Sequence, residues 1–321
     1  MFAVIDCGTT MTRIYIVDED TLKIVASGRR KVGVRDTSIT GSRDALRNGI
    51  TELFFQILEE NKIPDSSVFF SIASGMITSE VGLIDIPHLI APVGLAQLSA
   101  GVVKVEDPEV LPLGRPTYFV RGIRNHYAEN ANAHDLRDVD FMRGEEVQCI
   151  GIMRERNIPL PGNIVALSSH TKIIAVNQDG QIEASATTIS GQFYEAILHS
   201  TNIGKSITPT DGETPGGYSD SELIDIAMDC VAHAGLGRTM LMPRFLQVLM
   251  KTNSYERSHG YDSNYYLLYG HESRCRLYTE ILHKVFGDKI TVESIYRQEE
   301  LDWLTVSGSI AVALERIKHD A

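Results

Sequence analysis

The stretch MFAVIDCGTTMTRIYIVD (residues 1–18) predicts two buried strands joined by a bend of small polar residues. Apolar residues fill positions 2–5, and the apolar run at 12–17 is the predicted partner strand. An aspartate, a glycine and two threonines lie at the bend between them. Such a bend exposes successive backbone N–H groups, and these form a concavity that binds anionic oxygens. Glycine allows a ligand to approach the backbone closely.

The residues of this bend indicate a phosphate-binding loop with a cation beside it. A carboxylate is a ligand that a hard cation such as Mg²⁺ prefers, which makes Asp6 the candidate metal ligand. Gly8, Thr9 and Thr10 are the candidate phosphate contacts, together with Asp6. The same residue types also form ordinary turns, and that alternative stays open at this point.

Composition excludes several classes of partner. The chain has 321 residues, is 43% hydrophobic and carries a formal charge of -12. A net anion without a Lys/Arg block is not attracted to nucleic acid or to acidic membranes, so we expect neither as a partner. No apolar run reaches the ~18 residues of a membrane helix, and we expect a cytoplasmic location. The four scattered cysteines are expected to be free thiols.

The plan of the first strands recurs later in the chain. AVIDCGTTMTRIYIVDEDTLKIVASG (3–28) and IVALSSHTKIIAVNQDGQIEASATT (164–188) each predict a strand, a bend of small hydroxyl residues, a basic residue and two further strands. Two copies predict two similar α/β domains, 1–140 and 141–321, with both bends facing one cleft. The phosphate-contact candidates of the second bend are Ser169, His170, Thr171 and Lys172.

Helical periodicity is clearest over 43–60, where one face carries six large apolar residues. Helices are also predicted over 94–102 and 144–156. Most of the last third is predicted to be helical, over 219–235, 238–252, 263–286 and 305–316.

The Asp-x-Gly-Thr-Thr run (6–10) resembles the phosphate loop of the actin/hexokinase/Hsp70-type ATPases, which consist of two ribonuclease-H-like domains. Further motifs are similar to those of the 2-dehydro-3-deoxygalactonokinases, sugar-acid kinases of that superfamily. These motifs are SGMITSEVGLIDIPH (74–88), PVGLAQLSAG (92–101), MRGEEVQ (142–148), SSHTK (168–172) and ISGQFY (189–194). The resemblance implies ATP and Mg²⁺ as cofactors and a sugar acid as the substrate.

Gly144-Glu145-Glu146 lies where a helix is predicted to begin. The resemblance implies that Glu145 is the general base, and that Glu146 contacts Mg²⁺-bound water or a sugar hydroxyl. Paired glutamates in a first helical turn also simply complement the helix dipole, which is the alternative.

Further substrate contacts are expected from Arg143, as partner of the sugar carboxylate, and from Arg13. Ser74, Gly75 and Met76 follow a predicted strand end, where ligands often bind in α/β sheets. Salt bridges for the arginines and a structural turn at 74–76 are the alternatives.

The expected function is ATP-dependent phosphorylation of 2-dehydro-3-deoxy-D-galactonate or a close relative. The second phosphate loop departs from the family pattern, and this favours a second hypothesis, a non-catalytic sugar or nucleotide sensor. An actin-like filament protein is a third. A homodimer stays open.

Overall fold

The computed structural model describes residues 1–127, 139–168, 170–202, 222, 224–225, 261 and 263–320. The chain forms two compact units. Unit 1 comprises Met1–Ile158 together with Asp302–Ala321, and unit 2 comprises Pro159–Leu301. The last segment of the chain therefore belongs with the first unit. The division into domains 1–140 and 141–321 stays a prediction.

Unit 1 is built on a six-stranded sheet with the order β3-β2-β1-β4-β7-β6. Its strands are β1 (Phe2–Cys7), β2 (Thr12–Val17), β3 (Ile24–Arg30), β4 (Phe70–Gly75), β6 (Val103–Val105) and β7 (Thr117–Phe119). Strands β1, β4 and β7 are parallel to one another, so their carboxyl ends lie at the same edge of the sheet. A three-stranded sheet in the same unit contains β5 (Leu89–Ile90), β8 (Ile123–Arg124) and β9 (Phe141–Met142).

The described part of unit 1 also contains four α-helices before its last segment. They are α1 (Val34–Thr40), α2 (Asp44–Glu60), α3 (Leu95–Ala100) and α4 (Glu145–Glu155). The predicted apolar face of α2 is confirmed, since all six of its large apolar residues are buried: Leu46, Ile50, Leu53, Phe54, Ile57 and Leu58. These side chains join the strands in one hydrophobic core. Burial of this face, rather than helix propensity, provides most of the stability of such a helix.

Unit 2 contains a five-stranded sheet with the order β12-β11-β10-β13-β14. Its strands are β10 (Gly162–Leu167), β11 (Thr171–Val176), β12 (Ile182–Thr188), β13 (Tyr265–Gly270) and β14 (Thr291–Ile295). Its helices are α5 (Ser190–Ser200) and α6 (Glu272–Phe286). The long helix α7 (Gln298–Asp320) begins in unit 2 and continues in unit 1. None of the described helices has the length and apolar character needed to cross a bilayer.

The predicted repeat of strands is confirmed in the backbone of each unit. β1, β2 and β3 form an antiparallel meander, as do β10, β11 and β12. The register shifts between Ile16 and Val17 in one unit and between Ala175 and Val176 in the other, at the same step along the middle strand. A parallel strand, β4 or β13, then pairs with the first strand.

One sequence prediction fails at the level of elements, and two others lie almost wholly outside the described residues. The helix predicted over 263–286 is wrong in its first part, because Tyr265–Gly270 forms the buried strand β13 and only Glu272–Phe286 is helical. Parallel strands are buried on both faces and therefore lack the alternation that distinguishes a strand from a buried helix. The predicted helices 219–235 and 238–252 lie almost wholly outside the described residues.

Two glycines allow α4 and α7 to pack closely within unit 1. A Cβ at Gly151 would lie 2.1 Å from the carbonyl oxygen of Leu304. A Cβ at Gly308 would lie 1.9 Å from the carbonyl oxygen of Val147. Real Cβ atoms do not approach backbone oxygens so closely, so the helix backbones meet only because both positions lack a side chain.

We predict that Gly308→Ala destabilises the protein by roughly 1–3 kcal/mol, because the added methyl group separates α4 from α7. Alanine is the better helix former by up to ~1 kcal/mol, so a loss measured by urea unfolding would isolate the steric conflict. Ser309→Ala is the matched control. The buried Ser309 hydroxyl has no hydrogen-bond partner, and its removal should leave stability unchanged or slightly raised. Unfolding of Gly308→Ala at the wild-type urea concentration would contradict this helix contact.

Candidate active site

The bend between β1 and β2 is held by its own backbone and by the start of α1. The Gly8 N–H donates to the Met11 carbonyl oxygen at 2.9 Å, and the carbonyl of Thr9 accepts from the Arg35 N–H at 2.9 Å. A Cβ at Gly33 would lie 2.4 Å from the Thr9 carbonyl oxygen, so a glycine there lets α1 approach the bend. The side chains of Thr9 and Thr10 are exposed, which leaves both hydroxyls accessible to a ligand.

Asp6 lies at the carboxyl end of β1 in a group of charges. Arg13, its register partner on β2, has Nη1 at 3.3 Å from Asp6 Oδ2 and Nε at 4.0 Å from Asp302 Oδ1. The Tyr15 hydroxyl also hydrogen-bonds Asp302. Burial raises the pKa of Asp6, Arg13 lowers it, and the nearby carboxylates of Asp302 and Glu145 raise it again. Arg13 therefore lies between two acids, Asp6 and Asp302, and interacts with both.

The pairing of β4 with β1 determines the positions of Ser74 and Gly75, and Met76 comes directly after β4. Ser74 is the register partner of Asp6 and is 1% exposed, and its hydroxyl has no hydrogen-bond partner. Gly75 has φ of 88°, and a Cβ there would lie 2.5 Å from the Cys7 carbonyl oxygen. Met76 begins a 3₁₀ turn and is partly buried. The structure thus places Asp6 and Ser74 side by side at the edge of the sheet.

Arg143 is anchored to the loop that follows β4. Its Nη1 donates to Thr78 Oγ1 at 2.7 Å, and its Nη2 donates to the Ile86 carbonyl oxygen at 2.8 Å. Thr78 Oγ1 in turn donates to the Gly75 carbonyl oxygen at 3.2 Å. Arg143 therefore ties the segment before α4 to the carboxyl end of β4, and its two terminal nitrogens already have protein acceptors.

Gly144 and the two glutamates form the start of α4. Gly144 has φ of 107°, and its Cβ position would lie 3.4 Å from the Gly75 Cα, so α4 begins beside the end of β4. Glu145 is half-buried, and its carboxylate forms no hydrogen bond or ion pair within the described residues. Both carboxyl oxygens of Glu146 lie within 2.9 Å of the Gly144 nitrogen, which donates to them.

Glu146 differs sharply from its neighbour in environment. It is 0% exposed, and its pKa is raised to about 8, chiefly by burial and also by the neighbouring Glu145 carboxylate. Its carboxyl group caps the first turn of α4 and is not open to solvent. Glu146 is therefore buried and stabilises the start of α4, whereas the carboxylate of Glu145 is partly exposed.

The second bend, in unit 2, has a different chemistry from the first. The sequence analysis placed Thr171 and Lys172 in this bend. In the structure they instead begin β11, and both are buried. Lys172 donates to Thr187 Oγ1, and Thr171 Oγ1 accepts from Ser190 Oγ at 2.8 Å. His170 is partly exposed, and its carbonyl oxygen accepts from Ser168 Oγ at 3.0 Å. Ser169 lies outside the described residues.

Sequence reasoning missed Asp302, which is 296 positions from Asp6 and reaches Arg13 only because α7 returns to unit 1. An acid near the start of a long helix carries no signal for such a contact, since acids are common there. Among the described residues, no three or more His, Cys, Asp and Glu side chains are grouped so that they could hold a metal ion by themselves.

Comparison with solved structures identifies the class of fold. A "putative 2-dehydro-3-deoxygalactonokinase" from Sinorhizobium meliloti matches with a TM-score of 0.68 and 17% identity, covering 98% of each chain. The chain therefore has the two-domain α/β fold of the actin-like ATPase and sugar-kinase superfamily. The ethanolamine utilization protein EutJ from Carboxydothermus hydrogenoformans matches at a TM-score of 0.46 and 10% identity, covering 95% of this chain and 88% of its own.

The family model of the 2-keto-3-deoxy-galactonokinases matches residues 6–223, about two thirds of the chain. The chain belongs to this family, and it is a carbohydrate kinase, a phosphotransferase. The terms 2-keto and 2-dehydro denote the same ketone group, so the family predicted from the motifs is confirmed. No curated protein matches the chain significantly.

We predict that Glu146→Gln changes how stability depends on pH. Because the pKa of Glu146 rises from 4.5 to about 8 on folding, the folded state holds the proton more tightly than the unfolded state. The stability that this proton provides is present below pH 4.5 and is lost as the pH rises through 8. Urea unfolding from pH 5 to 8.5 should show the wild type losing stability relative to Glu146→Gln, which cannot titrate.

Glu59→Gln, on the exposed face of α2, is the control and should follow the wild type at every pH. Parallel pH profiles for the wild type and Glu146→Gln would mean that Glu146 ionises as it does in water.

Proposed function

We propose that the protein transfers the γ-phosphoryl group of ATP to a hydroxyl of 2-dehydro-3-deoxy-D-galactonate or of a closely related sugar acid. The observation that carries this proposal is the state of Glu145. Its carboxylate has no hydrogen-bond or ion-pair partner in the described part of the chain, and it lies close enough to Asp6 to raise the pKa of that residue. A proton acceptor without a competing partner, beside a candidate phosphate loop, suits phosphoryl transfer.

In the proposed reaction, Glu145 accepts the proton of the sugar hydroxyl. The hydroxyl oxygen uses the freed electron pair to form a bond to the γ-phosphorus. The bond from the γ-phosphorus to the β,γ-bridging oxygen breaks, and its electrons leave with ADP. The protein contributes positioning and charge, which dominate catalysis of phosphoryl transfer.

The residues at the edge of the unit 1 sheet fit Mg²⁺. This ion keeps several waters and is usually held by one or two carboxylates together with substrate phosphates, so it needs no cage of protein ligands. Asp6 would hold it, with Asp302 behind Arg13 as a second acid. When bound, Mg²⁺ neutralises charge on the phosphates of ATP. Gly8, Thr9 and Thr10 would contact phosphate oxygens.

In unit 2, His170 is the proposed nucleotide contact, because Thr171 and Lys172 are buried. We propose that these two residues support the bend from inside β11. Glu146 supports Glu145 by capping the first turn of α4 through the Gly144 N–H. The proposed contact of Arg143 with the sugar carboxylate would have to use nitrogens that already donate to Thr78 and Ile86.

Glu145→Gln should lower kcat by at least ~10²-fold, since a positioned general base contributes about 10²–10⁴ in rate. Affinities for ATP and for the sugar acid should change by less than about tenfold. A coupled assay of ADP release over a panel of sugar acids measures kcat, and calorimetry measures the affinities. Glu146→Gln is the matched neighbour and should keep kcat within about tenfold of wild type, because its buried carboxyl group contacts backbone. Full turnover by Glu145→Gln would remove Glu145 as the base.

Asp6→Asn should weaken binding of Mg·ATP by at least about tenfold and leave the affinity for free sugar acid within about twofold, because only the nucleotide brings the cation. Calorimetry with each ligand separately decides this. Asp18→Asn, in the turn after β2, is the control and should bind both ligands as the wild type does. Equal loss of both ligands in Asp6→Asn would indicate a folding defect and contradict a metal role.

A further inference from the structure

Arg121 lies at the edge of the sheet where the candidate active site is found. It comes two residues after β7, which runs parallel to β4, and the Val120 N–H continues this pairing by donating to the Ala73 carbonyl oxygen at 2.9 Å. At this edge Asp6 and Ser74 are register partners on β1 and β4, and Arg121 lies one residue beyond the position that continues this row after β7. Ligands of open α/β sheets bind outside the carboxyl ends of their strands.

The side chain of Arg121 combines a buried nitrogen with the lack of a partner among the described residues. Its Nε is buried and has no hydrogen bond, and the side chain forms no hydrogen bond or ion pair in the described part of the chain. Three other arginines near the site have partners: Arg13 contacts two acids, Arg143 donates to Thr78 and Ile86, and Arg124 stacks on Tyr127. A buried donor left unpaired is costly, and such groups call for an explanation such as a missing ligand.

The backbone beside Arg121 is fixed against the segment that carries the proposed base. A Cβ at Gly122 would lie 2.3 Å from the Met142 carbonyl oxygen and 2.7 Å from Arg143 Cγ. Ile123 then pairs with Met142 in the small sheet. Residues 121–123 and 142–145 are therefore held side by side within unit 1. The backbone of Arg121 is thus fixed relative to the start of α4.

We propose that Arg121 binds the carboxylate of the sugar acid and so determines the preference of the enzyme for an acid over a neutral sugar. This inference rests on the proposed function. A guanidinium presents paired N–H donors in a plane that matches the two oxygens of a carboxylate. Arg121 has these donors free, whereas each terminal nitrogen of Arg143 already donates one hydrogen bond to the protein, which is why Arg121 is the better candidate.

The test compares two substrates in ADP-release assays, the sugar acid and its analogue with the carboxylate reduced to an alcohol. Arg121→Met should raise KM for the acid by about 10- to 100-fold, the usual range for one charge-assisted hydrogen-bonding group. The kinetic constants for the alcohol and the KM for ATP should stay within about twofold of wild type. Guanidinium ion added to Arg121→Ala should restore part of the affinity for the acid, which a purely structural role would not allow.

Arg124→Met is the matched control, three residues along the chain, and should discriminate between acid and alcohol as the wild type does. Thermal unfolding of each variant checks that it is folded, and Arg121→Lys, which keeps the charge, should show a smaller loss. If Arg121→Met keeps the wild-type preference, or weakens both substrates equally, the role of Arg121 is refuted and the sugar-acid kinase stands. If the wild type phosphorylates no sugar acid, or does not prefer it to the alcohol, the proposed function falls, and this inference falls with it.

Discussion

The approach of the Gly75 backbone to the Cys7 carbonyl oxygen is the constraint on which the site in unit 1 depends. With no Cβ at Gly75, β4 stays paired with β1 up to the carboxyl end of both strands. This pairing sets Ser74 beside Asp6. Gly144 then packs against Gly75, and its own positive φ turns the chain into α4 with Glu145 as the first helical residue. Because Gly75 and Gly144 have no side chains, Asp6 and the candidate base Glu145 lie at the same edge of the sheet.

Negative charge predominates at this edge of the sheet. Asp6, Glu145 and Asp302 are all carboxylates, and Arg13 is the cation that the structure places between two of them. The formal charge of the whole chain is -12, so the distant field also repels polyphosphate. Under the proposed function, phosphate binding must come from short-range sources, namely backbone N–H groups at the bend and a divalent cation, while Arg121 would bind the carboxylate of the sugar acid.

The parts of the fold that were predictable from sequence are those specified by local pattern. The meander of β1 and β2 and the apolar face of α2 follow from residues close in the chain, and both are confirmed. Strand β13 was predicted to be helical because a parallel strand buried on both faces shows a continuous apolar run.

Within the site, the motif predicted Glu145 and Glu146 as a pair but could not separate their environments, since burial is a tertiary property. The partners of Arg143 could not be predicted from the sequence either, because one of them is the backbone carbonyl of Ile86, and a backbone carbonyl has no sequence signature. Asp302 and Arg121 depend on how distant segments meet. Their residue types alone are compatible with any exposed position, so only the structure distinguishes them.

The two strand repeats keep the same backbone geometry and differ in their side chains. Gly270 lies against the Leu167 carbonyl oxygen as Gly75 lies against that of Cys7, with its Cβ position 2.4 Å from the oxygen. In the place of Asp6, however, the second repeat has Ala166, and in the place of Arg13 it has Lys172. The features that recur are those that parallel pairing requires sterically, whereas the ion pair does not recur because pairing does not need it. The groups proposed for metal binding, proton transfer and carboxylate recognition all belong to unit 1, and His170 is the nucleotide contact proposed in unit 2.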